Sequence, residues 1–181
     1  MSNVVYIIGT NGVGKTSTAR ALLGECTPDV PCGPSVVSVG REFVAVGNYR
    51  VGAVTSGADC IKRSKDIFRT ISAAADSFPG MSVLCEGVVC TCTIAMFLDD
   101  LQEKGHKCFV FLLHTGIGEA VRRVIHRNGR IPDVRGMLSK VRSHSRILET
   151  ASLLGIKCVR IDTTRRTPEQ CAEAIRRIVG L

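Results

Sequence analysis

Gly9, Gly14, Lys15 and Thr16 stand at the spacing G-x-x-x-x-G-K-[ST] within IIGTNGVGKTS, after an apolar run and before a helical pattern. In that context the backbone N–H groups of Asn11, Gly12, Val13, Gly14, Lys15 and Thr16 turn toward one point, and the helix that follows adds the partial positive charge of its N-terminus. Such a cradle suits a polyphosphate anion. Lys15 is expected to reach the β- and γ-phosphates and the Thr16 hydroxyl to coordinate Mg²⁺. Ser17 completes the expected nucleotide-binding set, and the ligand implied is a nucleoside triphosphate, ATP with its Mg²⁺.

Two acids could do chemistry beside that loop. Glu86 ends the apolar run SVLCE, at the strand end where open α/β sheets bind ligands, and either holds Mg²⁺ through water or accepts a proton from the acceptor hydroxyl. The plainer alternative is a strand-end carboxylate paired with a nearby cation. Asp59, in TSGAD before a helical pattern, is a second candidate base, and a helix N-cap explains it as well.

Phosphoryl transfer also needs cations around the migrating group. Arg123 and Arg127 lie four apart on one expected helix face, and Arg130 follows in the loop NGRIPD. This is the layout of a lid over about residues 122–136 that closes arginines onto phosphates. An intrahelical pair between Glu119 and Arg123 is the alternative; it leaves Arg127 and Arg130 unexplained.

Other chemistries find less support. The base-reading [NT]-K-x-D of GTPases is absent. Nine cysteines is an odd number, and most sit inside apolar runs, so reduced core thiols are expected. Cys85, Cys90 and Cys92 lack the spacing and fourth ligand of a zinc site. His106, His114, His126 and His144 show no ligand spacing and receive no role. With eight aromatics, of which Tyr6, Phe109 and Phe111 read as core, a stacking platform for single strands is poorly supported.

The elements that position these residues follow from periodicity. NVVYIIG reads as a buried parallel strand, and a helix runs from near Gly14 to about Gly24. Pro28, Pro31 and Pro34 mark a loop, and residues 35–54 read as strands containing a hairpin. A helix over Asp66 to Phe78 precedes the strand MSVLCE, and a helix over Thr93 to Lys104 precedes the strand KCFVFLL. Gly118 to Arg127 and Val134 to Leu154 are helical, KCVRID is the last strand, and Pro168 opens the terminal helix. Alternating strands and helices imply a three-layer α/β/α sandwich around a mainly parallel sheet.

At 181 residues one domain over 1–181 is expected. No apolar run reaches the length of a bilayer span and no leader pattern opens the chain, so a cytoplasmic location is expected. The net charge is +8, and between Arg122 and Arg146 eight Arg or Lys face the single acid Asp133. So concentrated a field suggests a polyanionic partner, nucleotide phosphates or a nucleic-acid backbone, although a solvated helix face also explains it. Arg135, Arg142 and Arg146 share one helix face apt for a DNA backbone.

GTNGVGKT, SGADCI, VLCEGVV and EAVRRVIHR, in this order and spacing, make the chain resemble the bacteriophage P-loop kinases that phosphorylate 5-hydroxymethyluridine within DNA. The resemblance runs from Val4 to about Asp162; Ala58 and the proline-rich segment depart from the family pattern. It implies a P-loop kinase fold, ATP as donor, 5-hydroxymethyluracil DNA as acceptor, and the host cell cytoplasm as location. Family roles carry onto Lys15, Thr16, Asp59, Glu86 and Arg127, with Asp59 the leading base. Kept beside this are a nucleoside monophosphate kinase acting on free nucleotides and a nucleotide-gated DNA-binding module without turnover.

Overall fold

The computed structural model describes residues 1–50, 57–87 and 93–181. Among the described residues seven strands form one sheet. They are β1 (Asn3–Ile8), β2 (Thr27–Cys32), β3 (Ser35–Val39), β4 (Phe43–Val46), β5 (Ser82–Glu86), β6 (Lys107–His114) and β7 (Lys157–Asp162), in the order β2-β3-β4-β5-β1-β6-β7. From β4 to β7 every neighbouring pair is parallel, and β2 and β3 run antiparallel at one edge. Among the described residues there are six α-helices: α1 (Lys15–Leu23), α2 (Ser64–Ser77), α3 (Thr93–Glu103), α4 (Ile117–Asn128), α5 (Val134–Leu153) and α6 (Pro168–Val179). None is long and apolar enough to cross a membrane.

The alternation of β1 makes the layers. Val4, Tyr6 and Ile8 point into one apolar cluster with residues of α2, α3 and α5, and Val5 and Ile7 point into the other with residues of α1 and α6. A strand buried on both faces needs a continuous apolar sequence, which NVVYII supplies. Tyr6 and Phe111 lie fully in the core, and Phe109 stacks on Phe111. The chain leaves β1 for strands on one side and returns to β6 on the other. The carboxyl ends of β5, β1 and β6 therefore bound a crevice at a topological switch point, the usual ligand position in such sheets.

One expectation changes. The proline-marked loop is largely strand β2, paired with β3 through Val30–Val37 and Pro31–Val36. An edge strand can hold prolines because one of its sides makes no ladder bonds, and the register shifts between Thr27 and Val30, where Asp29 has φ 57°. The 35–54 segment does contain a hairpin, β3 to β4, but its expected continuation over 51–54 lies outside the described residues, as do Cys90 and Cys92. The described cysteines are thiols outside any disulfide; Cys32, Cys85, Cys108 and Cys171 are buried, whereas Cys60 is exposed.

Candidate functional site

The loop between β1 and α1 closes under the crevice. Gly14 caps α1 in the left-handed region with φ 91°, and among the described residues no side chain caps the helix, so its first N–H groups are left to the loop's interior. The loop is also braced from outside. A Cβ on Gly12 would strike the Ala120 carbonyl of α4, so glycine is what lets the helix approach. The Thr10 hydroxyl donates to the Met137 carbonyl of α5 at 3.3 Å. Lys15 is buried to 8% exposure and its Nζ donates to the Thr10 carbonyl at 3.2 Å, which bends the ammonium back across the loop.

Glu86, at the end of β5, is 1% exposed, and its Oε1 accepts a hydrogen bond from the Thr16 hydroxyl at 2.9 Å. Burial pushes its carboxyl above the usual range, against the pull of the Lys15 ammonium and the Thr16 bond. Its direct partner is thus a hydroxyl of the loop. Gly57 packs against it so closely that a Cβ there would collide with Oε1, and the left-handed φ of 70° also favours glycine. A hydroxyl and a carboxylate oxygen so paired are hard oxygen donors. They suit Mg²⁺, which takes one or two protein ligands and fills the rest of its shell with phosphate and water. Among the described residues no cluster of three or more His, Cys, Asp or Glu is arranged to hold a metal alone.

Asp59 is exposed in a single 3₁₀ turn, Ala58–Cys60, that Gly57 opens. It does not cap the next helix: α2 begins at Ser64, and Arg63 is the residue at its cap. The N-cap explanation of Asp59 is therefore set aside. Asp59, Glu86 and the loop residues Asn11 through Ser17 line one cleft of about 950 Å³.

The opposite wall is cationic. Arg123, Arg127, Asn128 and Arg130 line it. Arg123 makes the expected pair with Glu119, at 2.7 Å, and Arg122 joins them at 2.8 Å. These two guanidinium groups bring the Glu119 carboxyl down to about 2, with the Arg122 hydrogen bond the larger influence. Arg123 also donates to the Thr163 carbonyl at 2.9 Å, which fastens α4 to the end of β7. The intrahelical pair thus accounts for Arg123 only in part. Arg127 and Arg130 are exposed toward the cleft, and the Arg127 guanidinium donates to its neighbour Asn128 at 3.0 Å.

Sequence reasoning missed Thr163, Arg166, Pro168 and Cys171, which complete the cleft between β7 and α6. No motif marks them. The available signal was position: Asp162 ends a parallel strand at the carboxyl edge, so the residues after it had to border the same crevice. Arg135, Arg142 and Arg146 lie on α5 and do not line the cleft.

No protein-family model and no curated protein matches the sequence. The architecture, an α/β fold around a mostly parallel sheet, is shared with solved structures over nearly the whole chain. The tunicamycin resistance protein of Deinococcus radiodurans aligns with TM-score 0.58 and 17% identity, covering 100% of this chain and 97% of that one. The YorR protein of Bacillus subtilis, solved in complex with phosphorylated GDP, aligns with TM-score 0.60 and 16% identity, over 99% and 96% of the two chains. A gluconokinase from Sinorhizobium meliloti 1021 aligns with TM-score 0.52 and 13% identity, over 98% and 94%. At these identities the likeness is one of fold.

Proposed function

We propose that the chain is an ATP-dependent kinase that transfers the γ-phosphoryl group to a hydroxyl, and that this hydroxyl is the hydroxymethyl group of 5-hydroxymethyluracil in DNA. The observation that carries the phosphotransferase reading is the convergence, in one cleft, of the uncapped loop, Lys15, the Thr16–Glu86 oxygen pair and the exposed Asp59.

The loop amides, from Asn11 to Ser17, and Lys15 hold and neutralise the β- and γ-phosphates. Thr16 and Glu86 would hold Mg²⁺, which when bound would neutralise charge that builds on the phosphate oxygens. Burial and its bond to Thr16 suit Glu86 to that fixed role. Asp59, open to the cleft, is placed to meet an acceptor. It takes the hydroxyl proton as the acceptor oxygen bonds to the γ-phosphorus, while the bond from that phosphorus to the bridging oxygen breaks and ADP leaves. Arg127 and Arg130 close over the transferring group as the moving part of a lid over about residues 122–136, which belongs to a single domain. Arg123, tied to Glu119 and Thr163, is its fixed end.

The basic stretch from Arg122 to Arg146 supports a DNA acceptor, as does the resemblance in sequence motifs. A second reading, a kinase of free nucleotides, is favoured by the structural neighbour solved with phosphorylated GDP. The test is incubation with γ-labelled ATP and, in parallel, hydroxymethyluracil DNA, unmodified DNA and free nucleotides. Label on hydroxymethyluracil DNA, lost in Lys15→Ala, is the expected result. Label on free nucleotide alone overturns the DNA reading. Label on none, with nucleotide binding that Lys15→Ala abolishes, leaves a nucleotide-gated DNA-binding module.

A further inference from the structure

Tyr49 follows β4 at the carboxyl edge of the sheet, beside the end of β5 where Glu86 sits. Its backbone is pinned by a fully buried hydroxyl: Ser38 Oγ donates to the Gly47 carbonyl at 3.2 Å and accepts from the Tyr49 amide at 3.1 Å. The Tyr49 ring belongs to the apolar layer under α1, with Phe43, Ala45 and Leu84, and the residue is 3% exposed. Its hydroxyl is buried and has no hydrogen-bond partner among the described residues. The charged groups that it feels are the Glu86 and Asp59 carboxylates.

Phenylalanine fills the same space and leaves nothing unsatisfied. A hydroxyl buried without a partner destabilises the fold that carries it, so an orphan in the apolar layer that runs up to the end of β5, within the electrostatic reach of Glu86, calls for a use. The carboxylate nearest in role is half held. Thr16 fixes Oε1 of Glu86 and Gly57 crowds the same oxygen, whereas neither of these neighbours constrains Oε2. Toward a carboxylate oxygen the Tyr49 phenol is the donor. Burial first, and the Glu86 charge second, hold its phenol well above its ordinary pKa, in the protonated form.

On the reading of the cleft as a phosphoryl-transfer site, we infer that Tyr49 is a positioning residue: its hydroxyl donates to the Glu86 carboxylate when Mg²⁺ and nucleotide are bound and fixes the carboxylate's orientation. It acts through Glu86, since Tyr49 lies behind the residues that line the cleft.

Tyr49→Phe removes one oxygen and no volume, and three measurements read the result. Thermal melting without nucleotide is expected to be unchanged or raised, because no bond is broken in the free state. The Mg²⁺ concentration that half-saturates the Mg²⁺-dependent part of ADP binding, followed by calorimetry, is expected to rise about tenfold or more, the usual effect of removing a group that orients a metal ligand. Turnover is expected to fall by a similar factor at saturating ATP with Mg²⁺ held at its wild-type midpoint. A melting temperature lowered by several degrees means that the hydroxyl already has a structural partner, and overturns the inference. So does a Mg²⁺ midpoint within about twofold of wild type. If wild-type protein shows no Mg²⁺-dependent ADP binding, or if Lys15→Ala leaves that binding intact, the phosphoryl-transfer reading itself fails; wild-type binding with an indifferent Tyr49→Phe removes this inference alone.

Discussion

His144 is 1% exposed on α5, its Nε2 is buried without a hydrogen-bond partner among the described residues, and burial, with Lys15 and Lys140 nearby, lowers its pKa from 6.5 to about 4. A histidine held neutral in the fold binds its proton more readily once unfolded. Its contribution is therefore complete above about pH 6.5 and is lost as pH falls toward about 4, up to about 3 kcal/mol in all. Chemical denaturation across that window should show a stability slope that His144→Leu flattens; an unchanged slope in the variant refutes the assignment. Ligand spacing assigns this residue no role, and core spacing carries the information instead: Met137, His144, Ile147, Leu148 and Ala151 share the buried face of α5. The loop residues were legible for the opposite reason. A lysine where a helix should start, directly after an apolar strand, has no good explanation as packing.

At the scale of elements, Asp133 shows how a short motif places a functional segment. Its side chain accepts from the Gly136 amide at 3.0 Å and caps α5, and the loop that it closes carries Arg130. Replacing it with alanine should cost about 1 kcal/mol by urea unfolding. It should also weaken turnover with little change in nucleotide affinity, because the loop and not the cradle is loosened. An unaltered unfolding midpoint would exclude the cap. Most helices and parallel strands were legible from their periodicity, and Pro168 marked the start of α6 correctly. β2 was not: Pro28 and Pro31 read as breakers, and only tertiary position, at an edge where one side needs no ladder, turns them into strand residues. The motif around Asp59 pointed to the site, but whether the residue capped α2 depended on where that helix began.

At the scale of the whole molecule, charge is distributed unevenly. Eight cations against one acid between Arg122 and Arg146 run from one wall of the cleft out along α5. If this stretch meets a DNA backbone, hydroxymethyluracil DNA should bind with an affinity that falls steeply with salt. The triple change of Arg135, Arg142 and Arg146 to glutamine should lower the logarithmic slope by about 0.9 for each phosphate that is no longer neutralised. Titrations at several salt concentrations measure this, and equal slopes for the two proteins would exclude these arginines from the DNA interface. Position along the chain made the charge cluster legible, but its relation to the cleft was not, since α4 ends at Asn128 before α5 begins and only Arg123, Arg127 and Arg130 of the cluster reach the wall.

The central place of β1 has a consequence for how the molecule comes together. Val4 pairs with Val83 on one side and with Cys108 on the other, so this strand finds both neighbours only after the long stretches of chain that separate them have been made. Until then a largely apolar run stays unpaired. Such distant pairings make folding slow and leave the nascent chain prone to aggregation, so chaperones should matter more to its yield than to that of a helical bundle of equal length.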